Sequence, residues 1–480
     1  MKTQSQTLSP LPDGFVDQLT DIVGPAGLIT DAEGLEPYLT EWRKRYRSQT
    51  ELVVRPASTQ ETADVVKLCH DHGVTVTPQG GNTGLVGGAV AEGGIILSTT
   101  RMNAVRHVDP QTFTMTVETG CILADVQSAA ADVNRLFPLS LGAEGTCTIG
   151  GNLSTNAGGI HVLRYGNARD LVLGLEVVLP DGRIWDGLRS LRKDNTGYAL
   201  KHLFLGGEGT LGIITAAVLR LFPRPTARET AFCALPTVDA AISLFDRCMA
   251  GAGDVLNAFE VSNRTGVALA EHFIDAVSVP LDQPHPFYAI VEFASTGPDD
   301  GVLRGRFEQI LADAMDSGDV TDAVLAETEA QTAGIWRIRE GITQAQIPAG
   351  LCAKHDVTVP ISDIPAFLTK AEAKIRDIQP ETRLVAYGHY GDGNIHFNAV
   401  RPDTMTDDEF RPFVPTIQRA VHDVTMALNG SFSAEHGVGL MKRDDVVRYR
   451  SNVEVDMMRA VKNALDPANL MNPGKILPPV

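Results

Sequence analysis

The stretch Tyr387-Gly-His-Tyr-Gly-Asp-Gly-Asn-Ile-His-Phe-Asn398, with Ser433-Ala-Glu-His436 downstream, gathers three histidines, a glutamate and the asparagine Asn398 from a chain with only 12 histidines in 480 residues. Imidazole together with carboxylate is a donor set that a borderline divalent metal such as zinc prefers. Two His and one Glu leave a coordination position open, and open sites do chemistry where closed four-ligand sites mostly hold folds together. Leu384-Val-Ala-Tyr387 and Ile395-His-Phe-Asn-Ala-Val400 are rich in β-branched and aromatic residues, and Gly391-Asp-Gly-Asn394 between them supplies turn chemistry, so the spacing predicts a β-hairpin. In such a hairpin His389 and His396 flank the loop and face each other with Cβ atoms about 5 Å apart. Asn398, two residues on, shares the face of His396. Two strand histidines beside a Gly-rich turn would look the same alone; Glu435-His436 in a Gly-flanked turn makes a metal site the better reading.

These residues need elements to position them. A chain of this length exceeds what one hydrophobic core serves, so two or three domains are expected, at roughly 150 residues each. A first module, residues 1–225, begins with a polar run (1–15) expected to be flexible. Leu52-Val-Val-Arg-Pro56 follows as a strand. Next come a helix from Ser58 to Gly73, capped by Ser58 with Glu61 at the capping-box position, and a strand at Val74-Thr-Val-Thr77. A second module, residues 226–430, mixes strands such as Phe287-Tyr-Ala-Ile-Val-Glu-Phe293 with amphipathic helices such as Thr237 to Ala250, which gives it α+β character. Residues 431–480 form a C-terminal segment whose helix, Val453 to Leu465, is stopped by Asp466-Pro467.

Composition narrows the function. A formal net charge of −18 argues against nucleic-acid partners, whose phosphates would be repelled. Six scattered cysteines without C-x-x-C spacing fit buried free thiols in a reducing compartment. The N-terminus lacks a signal-like apolar run, and no run approaches the ~20 apolar residues that span a bilayer. The expectation is a soluble, cytoplasmic protein.

Three segments are denser in glycine than turns require: Pro78-Gln-Gly-Gly-Asn-Thr-Gly84, Gly142-Ala-Glu-Gly-Thr-Cys-Thr-Ile-Gly-Gly-Asn152 running on to Asn156-Ala-Gly-Gly159, and Gly206-Gly-Glu-Gly-Thr-Leu-Gly212. Glycine lets backbone N–H groups approach a diphosphate, and the interspersed Asn, Ser and Thr offer further donors and acceptors. Each segment alone would also serve as a tight turn. Gly207-Glu-Gly-Thr-Leu-Gly212 matches G-x-G-x-x-G, but that fingerprint must open a helix, whereas Ile213-Ile-Thr-Ala-Ala-Val-Leu-Arg-Leu221 has strand character. A dinucleotide here is bound by a fold other than Rossmann.

These loops resemble those of the FAD-linked oxidases of the vanillyl-alcohol oxidase / p-cresol methylhydroxylase (PCMH) superfamily. The likeness extends from about Leu52 to the C-terminus, through Leu191-Arg-Lys-Asp-Asn-Thr-Gly-Tyr198 and Asn472-Pro-Gly-Lys475, and is greatest toward its D-2-hydroxyglutarate dehydrogenases. The resemblance implies an α+β fold: a two-part PCMH-type FAD-binding domain, an α+β substrate domain and a short C-terminal helical segment returning to the flavin. It implies non-covalent FAD, with His161 an ordinary polar contact. It places flavin contacts on Pro78, Gly80, Gly81, Asn82, Thr83, Gly84 and Leu85; on Gly142, Gly145, Thr146, Ile149, Gly150 and Asn152; on Ser154, Thr155, Asn156, Gly158, Gly159, Arg164 and Tyr165; and on Glu208, Gly212, Ile213 and Asn472. It places metal ligands on His389, His396 and Glu435, for Zn2+ first and otherwise Mn2+ or Co2+, and proton acceptance on His436. It places substrate contacts on Arg339, Thr343, Lys354, Asn398 and His436. Arg339 and Thr343, four apart in a helical pattern, and Lys354 would hold the distal carboxylate of a dicarboxylic acid. His355 stands where a tyrosine is expected beside that lysine, which bears on acid preference.

The implied activity is oxidation of a D-2-hydroxy acid, D-2-hydroxyglutarate first and D-lactate or D-malate after it. The implied acceptor is an electron-transfer flavoprotein, a quinone or a cytochrome rather than NAD, and the implied assembly a homodimer. A non-catalytic flavin-binding subunit of a glycolate-oxidase-like complex is the rival. It would have lost the metal or base residues that are present here.

Overall fold

The computed structural model describes residues 10–298 and 300–479, and most of the polar start lies outside them. The part of that start that is described ends in order: Phe15–Val23 is a helix, with Phe15 and Leu19 fully buried. Phe15, Leu19 and Val23 recur at four-residue spacing, a signal short enough to be masked by the polar residues before it.

The chain divides into two compact units. The first comprises the chain up to Gly158, then Gly166–Arg224 and Glu435 onward. The second comprises Gly159–Tyr165 and Pro225–Ala434.

In the first unit, Val53–Val54, Val76–Gln79 and Ile95–Ser98 pair in parallel, and Leu28–Ile29 adds an antiparallel edge. The Thr59–His72 helix packs its Ala63, Val65, Val66 and Cys69 into the same cluster as Leu52, Val54 and Ile95. Ser58 accepts from the Glu61 N–H (3.1 Å), and Gly73 ends the helix in the left-handed region (φ 68°), as a Gly-terminated helix should. The Glu61 carboxylate reaches back to the Ala57 N–H instead of the cap residue's own.

A second, antiparallel sheet of five strands has Ile213–Arg220 at its centre, between Thr114–Glu118 and Val172–Val178. That central placement explains why Ile213–Arg220 is apolar on both faces, and confirms that Gly212 opens a strand and not a helix.

The last segment returns to the first sheet. Its helix is Asn452–Leu465, capped by Ser451 in a complete capping box. Val76 N–H donates to Leu470 O and Asn472 N–H to Val76 O (both 2.8 Å). Lys462 Nζ then ties Thr210 O (2.8 Å) to Met471 O (2.7 Å).

The second unit is built on one eight-stranded antiparallel sheet. Along Ala227–Leu235, Ala231, Cys233 and Leu235 enter one core while Phe232 enters the other. Along Phe287–Ser295, Ala289, Val291 and Phe293 share the first core while Tyr288 and Ile290 share the second. The two-residue period therefore serves two apolar faces, each covered by helices. Val238–Ala252 (capped by Thr237), Val302–Asp316, Ile364–Ile378 and Val414–Ala427 cover one face; Arg264–Phe273 and Glu329–Ala345 cover the other.

All six cysteines are free and buried. Burial pushes the Cys69 thiol up to about 12 and Cys121 up to about 11, which leaves them inert thiols. No helix among the described residues is long and apolar enough to cross a membrane.

Lys475 gives the first unit a pH signature. Its side chain is fully buried, 3.8 Å from Glu92. Burial draws its pKa down to about 8 from 10.5; Arg443 adds to that, and Glu92 and Glu208 only partly oppose it. Between these two values the unfolded chain binds a proton that the folded one does not, so this residue's contribution to stability rises with pH across that window, and its cost is fully present below pH 8. Lys475→Met should therefore gain stability over wild type below pH 8, in chemical denaturation, and the gain should shrink steadily toward pH 10.5.

Candidate active site

The hairpin is present as Arg383–Gly388 and Asn394–Val400, with Tyr387 opposite His396 and Val385 opposite Asn398. The expected facing pair, His389 with His396, is thus replaced in the ladder by Tyr387 with His396. His389 sits just past the strand end, because Gly388 (φ 150°) turns the chain there; a Cβ at Gly388 would lie 2.6 Å from Asn394 O. The two histidine rings still meet, with centroids 5.8 Å apart, and the Tyr387 ring lies 4.9 Å from that of His396.

Each histidine has a buried carboxylate beside it that the sequence reading missed. The strand Leu256–Asn263 pairs with the hairpin through Val261↔Gly388 and Ser262↔Tyr387, so one further step sets Glu260 beside His389. Glu260 accepts from His389 Nδ1 in a very short hydrogen bond and from Arg339 Nε at 2.6 Å. Burial alone would raise the Glu260 carboxyl, but His389 and Arg339 outweigh it and hold it at about 2. Asp356, also buried, accepts from Asn394 Nδ2 (3.0 Å) and lies 4.0 Å from His396 Nδ1. Carboxylates on the outer nitrogens are what metal-binding histidines usually have, so this donor set fits a divalent cation. The available signal was a lone Glu inside the apolar strand run Ala258-Phe-Glu-Val261.

Arg339 and Thr343 lie on one face of the Glu329–Ala345 helix, which crosses the sheet. Trp336 Nε1 donates to buried Glu292 (2.9 Å), and one turn later Arg339 meets Glu260 on the next strand. Beyond that, Thr343 Oγ1 lies 3.3 Å from the Tyr387 hydroxyl, and past the helix end Gln346 Oε1 accepts from Asn398 Nδ2 (2.8 Å). Arg339 stacks over the Tyr387 ring at 4.7 Å. Asn398 also accepts from the His355 N–H (2.9 Å), so both ends of its amide are engaged. Lys354 is half-buried between Cys352–Ala353 and Val357–Thr358, both paired to the strand that carries His396. His355 is buried, Nδ1 on Phe397 O and its ring 5.9 Å from that of His422, a second histidine the sequence reading passed over.

In the first unit the polar side chains of the glycine loops fasten the loops. Asn82 Nδ2 donates to Pro37 O and Thr40 O (3.1 and 3.0 Å), and Asn156 Oδ1 accepts from Arg169 N–H (2.9 Å). Glu208, left-handed at φ 48°, accepts from the N–H groups of Val438 (2.7 Å) and Gly439 (2.8 Å). Burial raises its pKa, and these two bonds oppose the rise. Asn472 Nδ2 bridges Gly88 O and Glu208 O.

What remains for a diphosphate is backbone. The N–H groups from Gly80 to Gly84 donate no hydrogen bond to another described residue. Gly81 packs so closely that a Cβ would fall 2.1 Å from Thr146 O. The buried Gln79 Oε1 and Thr148 Oγ1, beside this loop, have no partner among the described residues. A run of donors, unpaired buried oxygens and a cradle closed to side chains fit a dinucleotide such as FAD. Gly159, Arg164 and Tyr165 fall in the second unit, where Arg164 Nη1 donates to Ala294 O (2.5 Å). Glu435 and His436 follow directly on Ala434, whose N–H donates to Asp356 O (3.3 Å) in the second unit.

Sequence comparisons agree with these features. Residues 50–187 match the FAD binding domain family, and residues 224–476 match the C-terminal domain of FAD linked oxidases. Among solved structures, p-cresol methylhydroxylase with substrate bound has the same fold (TM-score 0.78, 16% identity, 98% of both chains). Alkyldihydroxyacetonephosphate synthase also shares it (TM-score 0.73, 19% identity, 98% of this chain and 87% of that one). The family matches define an FAD-dependent oxidoreductase, and the solved structures give it a PCMH-like fold. Curated relatives are nearer: D-2-hydroxyglutarate dehydrogenases from Bos taurus (39% identity, 95% of this chain, 82% of the relative) and Xanthomonas citri pv. viticola (37%, 97% of each), and a probable one from Oryza sativa subsp. indica (36%, 98% and 83%). The chain belongs to the D-2-hydroxyglutarate dehydrogenase family of FAD-linked oxidases.

Gly81→Ala should purify with little or no bound flavin, measured as the ratio of visible flavin absorbance to protein absorbance. A full flavin complement in that variant would remove this loop from the FAD cradle.

Proposed function

We propose that this enzyme oxidises D-2-hydroxyglutarate to 2-oxoglutarate. The observation that carries the reading is the placement of Arg339, on one wall of the second unit, beside the two-histidine cluster through Glu260 and Tyr387. A hydroxy acid with a second carboxylate offers one group to each. The relatives' names point to the same substrate.

FAD would supply the two-electron acceptor for the C2 hydrogen, and a divalent cation held by His389, His396 and Glu435 would supply Lewis acidity toward the 2-hydroxyl and 1-carboxylate. The chain's own residues do the remainder. His436 takes the hydroxyl proton, a task suited to an imidazole near neutral pH. Arg339 grips the distal carboxylate with its planar donors, and Thr343 and Lys354 add a hydroxyl and a point charge. Asn398 holds the His355 N–H and Gln346 in place, and the N–H and lone pair its amide has left would serve the substrate. Two electrons and two protons leave the substrate, one proton with the C2 hydride and the other from the hydroxyl to His436, and a separate acceptor such as an electron-transfer flavoprotein, a quinone or a cytochrome would return the flavin to its oxidised state.

The test is anaerobic mixing with D-2-hydroxyglutarate, D-malate and D-lactate in turn. Flavin absorbance should bleach fastest with D-2-hydroxyglutarate. Chelation should abolish turnover, with recovery on adding Zn2+, Mn2+ or Co2+. Faster bleaching by D-lactate would reassign the substrate, and turnover indifferent to chelation would remove the metal.

Arg339→Ala should cost about 1.5–3 kcal/mol of transition-state binding for the dicarboxylate, roughly 10–100-fold in kcat/KM, and much less for D-lactate. Equal losses for both acids would remove the distal-carboxylate role.

A further inference from the structure

Glu260 was not among the residues singled out by sequence, yet it touches two that were. One carboxylate oxygen takes His389 Nδ1 and the other takes Arg339 Nε. All three side chains are buried. A carboxylate flanked by a guanidinium is acceptor-only, so the proton shared with His389 belongs to Nδ1, and the ligating lone pair of that imidazole is on Nε2. Each partner comes from a different element: Glu260 from the Leu256–Asn263 strand, His389 from the hairpin, Arg339 from the Glu329–Ala345 helix.

We propose that Glu260 is a positioning residue that fixes the metal ligand His389 and the carboxylate-binding Arg339 to one rigid point, and that this sets the length of dicarboxylic acid the enzyme accepts. The inference rests on the roles of His389 and Arg339 proposed above. A metal-bound 2-hydroxy acid end and an arginine-bound distal end must be spanned by the carbon chain between them. With both protein ends pinned to one carboxylate, that span does not adjust to a shorter acid such as D-malate. Glu260 is a short bridge that touches both side chains directly.

Glu292 supplies a control. It is equally buried, one strand away, and holds Trp336 Nε1 and Asn257 Nδ2 (2.7 Å) with Arg228 at 3.7 Å, and no histidine touches it among the described residues. Glu260→Gln keeps the shape but turns one acceptor into a donor, so it cannot satisfy both partners. In FAD-loaded, metal-stripped protein, Zn2+ affinity measured by competition with a chromophoric chelator should fall about 10–100-fold in Glu260→Gln. It should stay at the wild-type value in Glu292→Gln, even where both variants lose thermal stability. The KM ratio of D-malate to D-2-hydroxyglutarate should also drop toward one in Glu260→Gln.

Unchanged Zn2+ affinity, an equal loss in Glu292→Gln, or an unchanged KM ratio would each overturn the bridging role. Wild-type protein that binds no Zn2+ would instead overturn the metal site itself, and this inference with it. Should Glu260→Gln not fold, Glu260→Asp, which keeps the charge one methylene short, is measured in its place against the same outcomes.

Discussion

The carboxylate of Glu260 is the constraint on which the second unit's chemistry depends. It lies in the interior of an antiparallel sheet, at a position whose neighbours Phe259 and Val261 are core residues. An unpaired charge there would be untenable. The strand can carry it only because a helix brings Arg339 across the sheet and a hairpin ends with His389 at the same register step. Helix placement, strand register and the turn at Gly388 are therefore mutually dependent. Shifting any one by a residue would strand a buried charge.

The first unit solves a different problem, which is to hold irregular backbone still. Asn82, Asn156, Glu208 and Asn472 direct their side chains at backbone groups of neighbouring segments. Glu208 is the most consequential, since it holds the turn that immediately follows His436 from within a glycine loop. Side-chain amides and carboxylates thereby do what ladder hydrogen bonds do in a sheet, and the loop N–H groups from Gly80 to Gly84 are kept for something else. A dinucleotide held there would be recognised by backbone shape, which fits the way glycine content marks these loops more clearly than any polar motif.

The parts readable in the sequence share one property: they are local. The Ser58 and Thr237 caps, the strand after Gly212 and the hairpin around Gly391-Asp-Gly-Asn394 each follow from residues within one turn or ladder step. What was not readable depends on which strand lies next to which. The pairing of Leu256–Asn263 with the hairpin joins residues about 130 positions apart, and nothing in either segment announces the partner. The Tyr387↔His396 register differs from the symmetric guess because Gly388 shortens one strand, a conformational effect of one residue. Asn398 shows the converse. Its face was right, yet its amide is taken up by His355 and Gln346, neighbours that only the sheet order supplies.

The Glu260 cluster also says what it is for by what it costs. Removing one partner of a buried charged set costs about 3–5 kcal/mol, whereas replacing a whole set by packed apolar residues is often neutral or stabilising. The surrounding face, with Phe232, Tyr288 and Ile290, shows that an apolar solution is available in the same core. A fold under pressure for stability alone has no use for a glutamate, an arginine and a histidine there. What the charged set provides and an apolar one does not is direction: a fixed Nδ1–H on His389 and a fixed plane for the Arg339 guanidinium over Tyr387. Both would serve the proposed site, which needs a metal ligand and an anion fork at a set separation. Trp336 on Glu292, one strand further along the same helix, is the contrasting case: an equally buried carboxylate that fastens the helix through a neutral indole donor, its only ion pair being with the exposed side chain of Arg228 at 3.7 Å among the described residues.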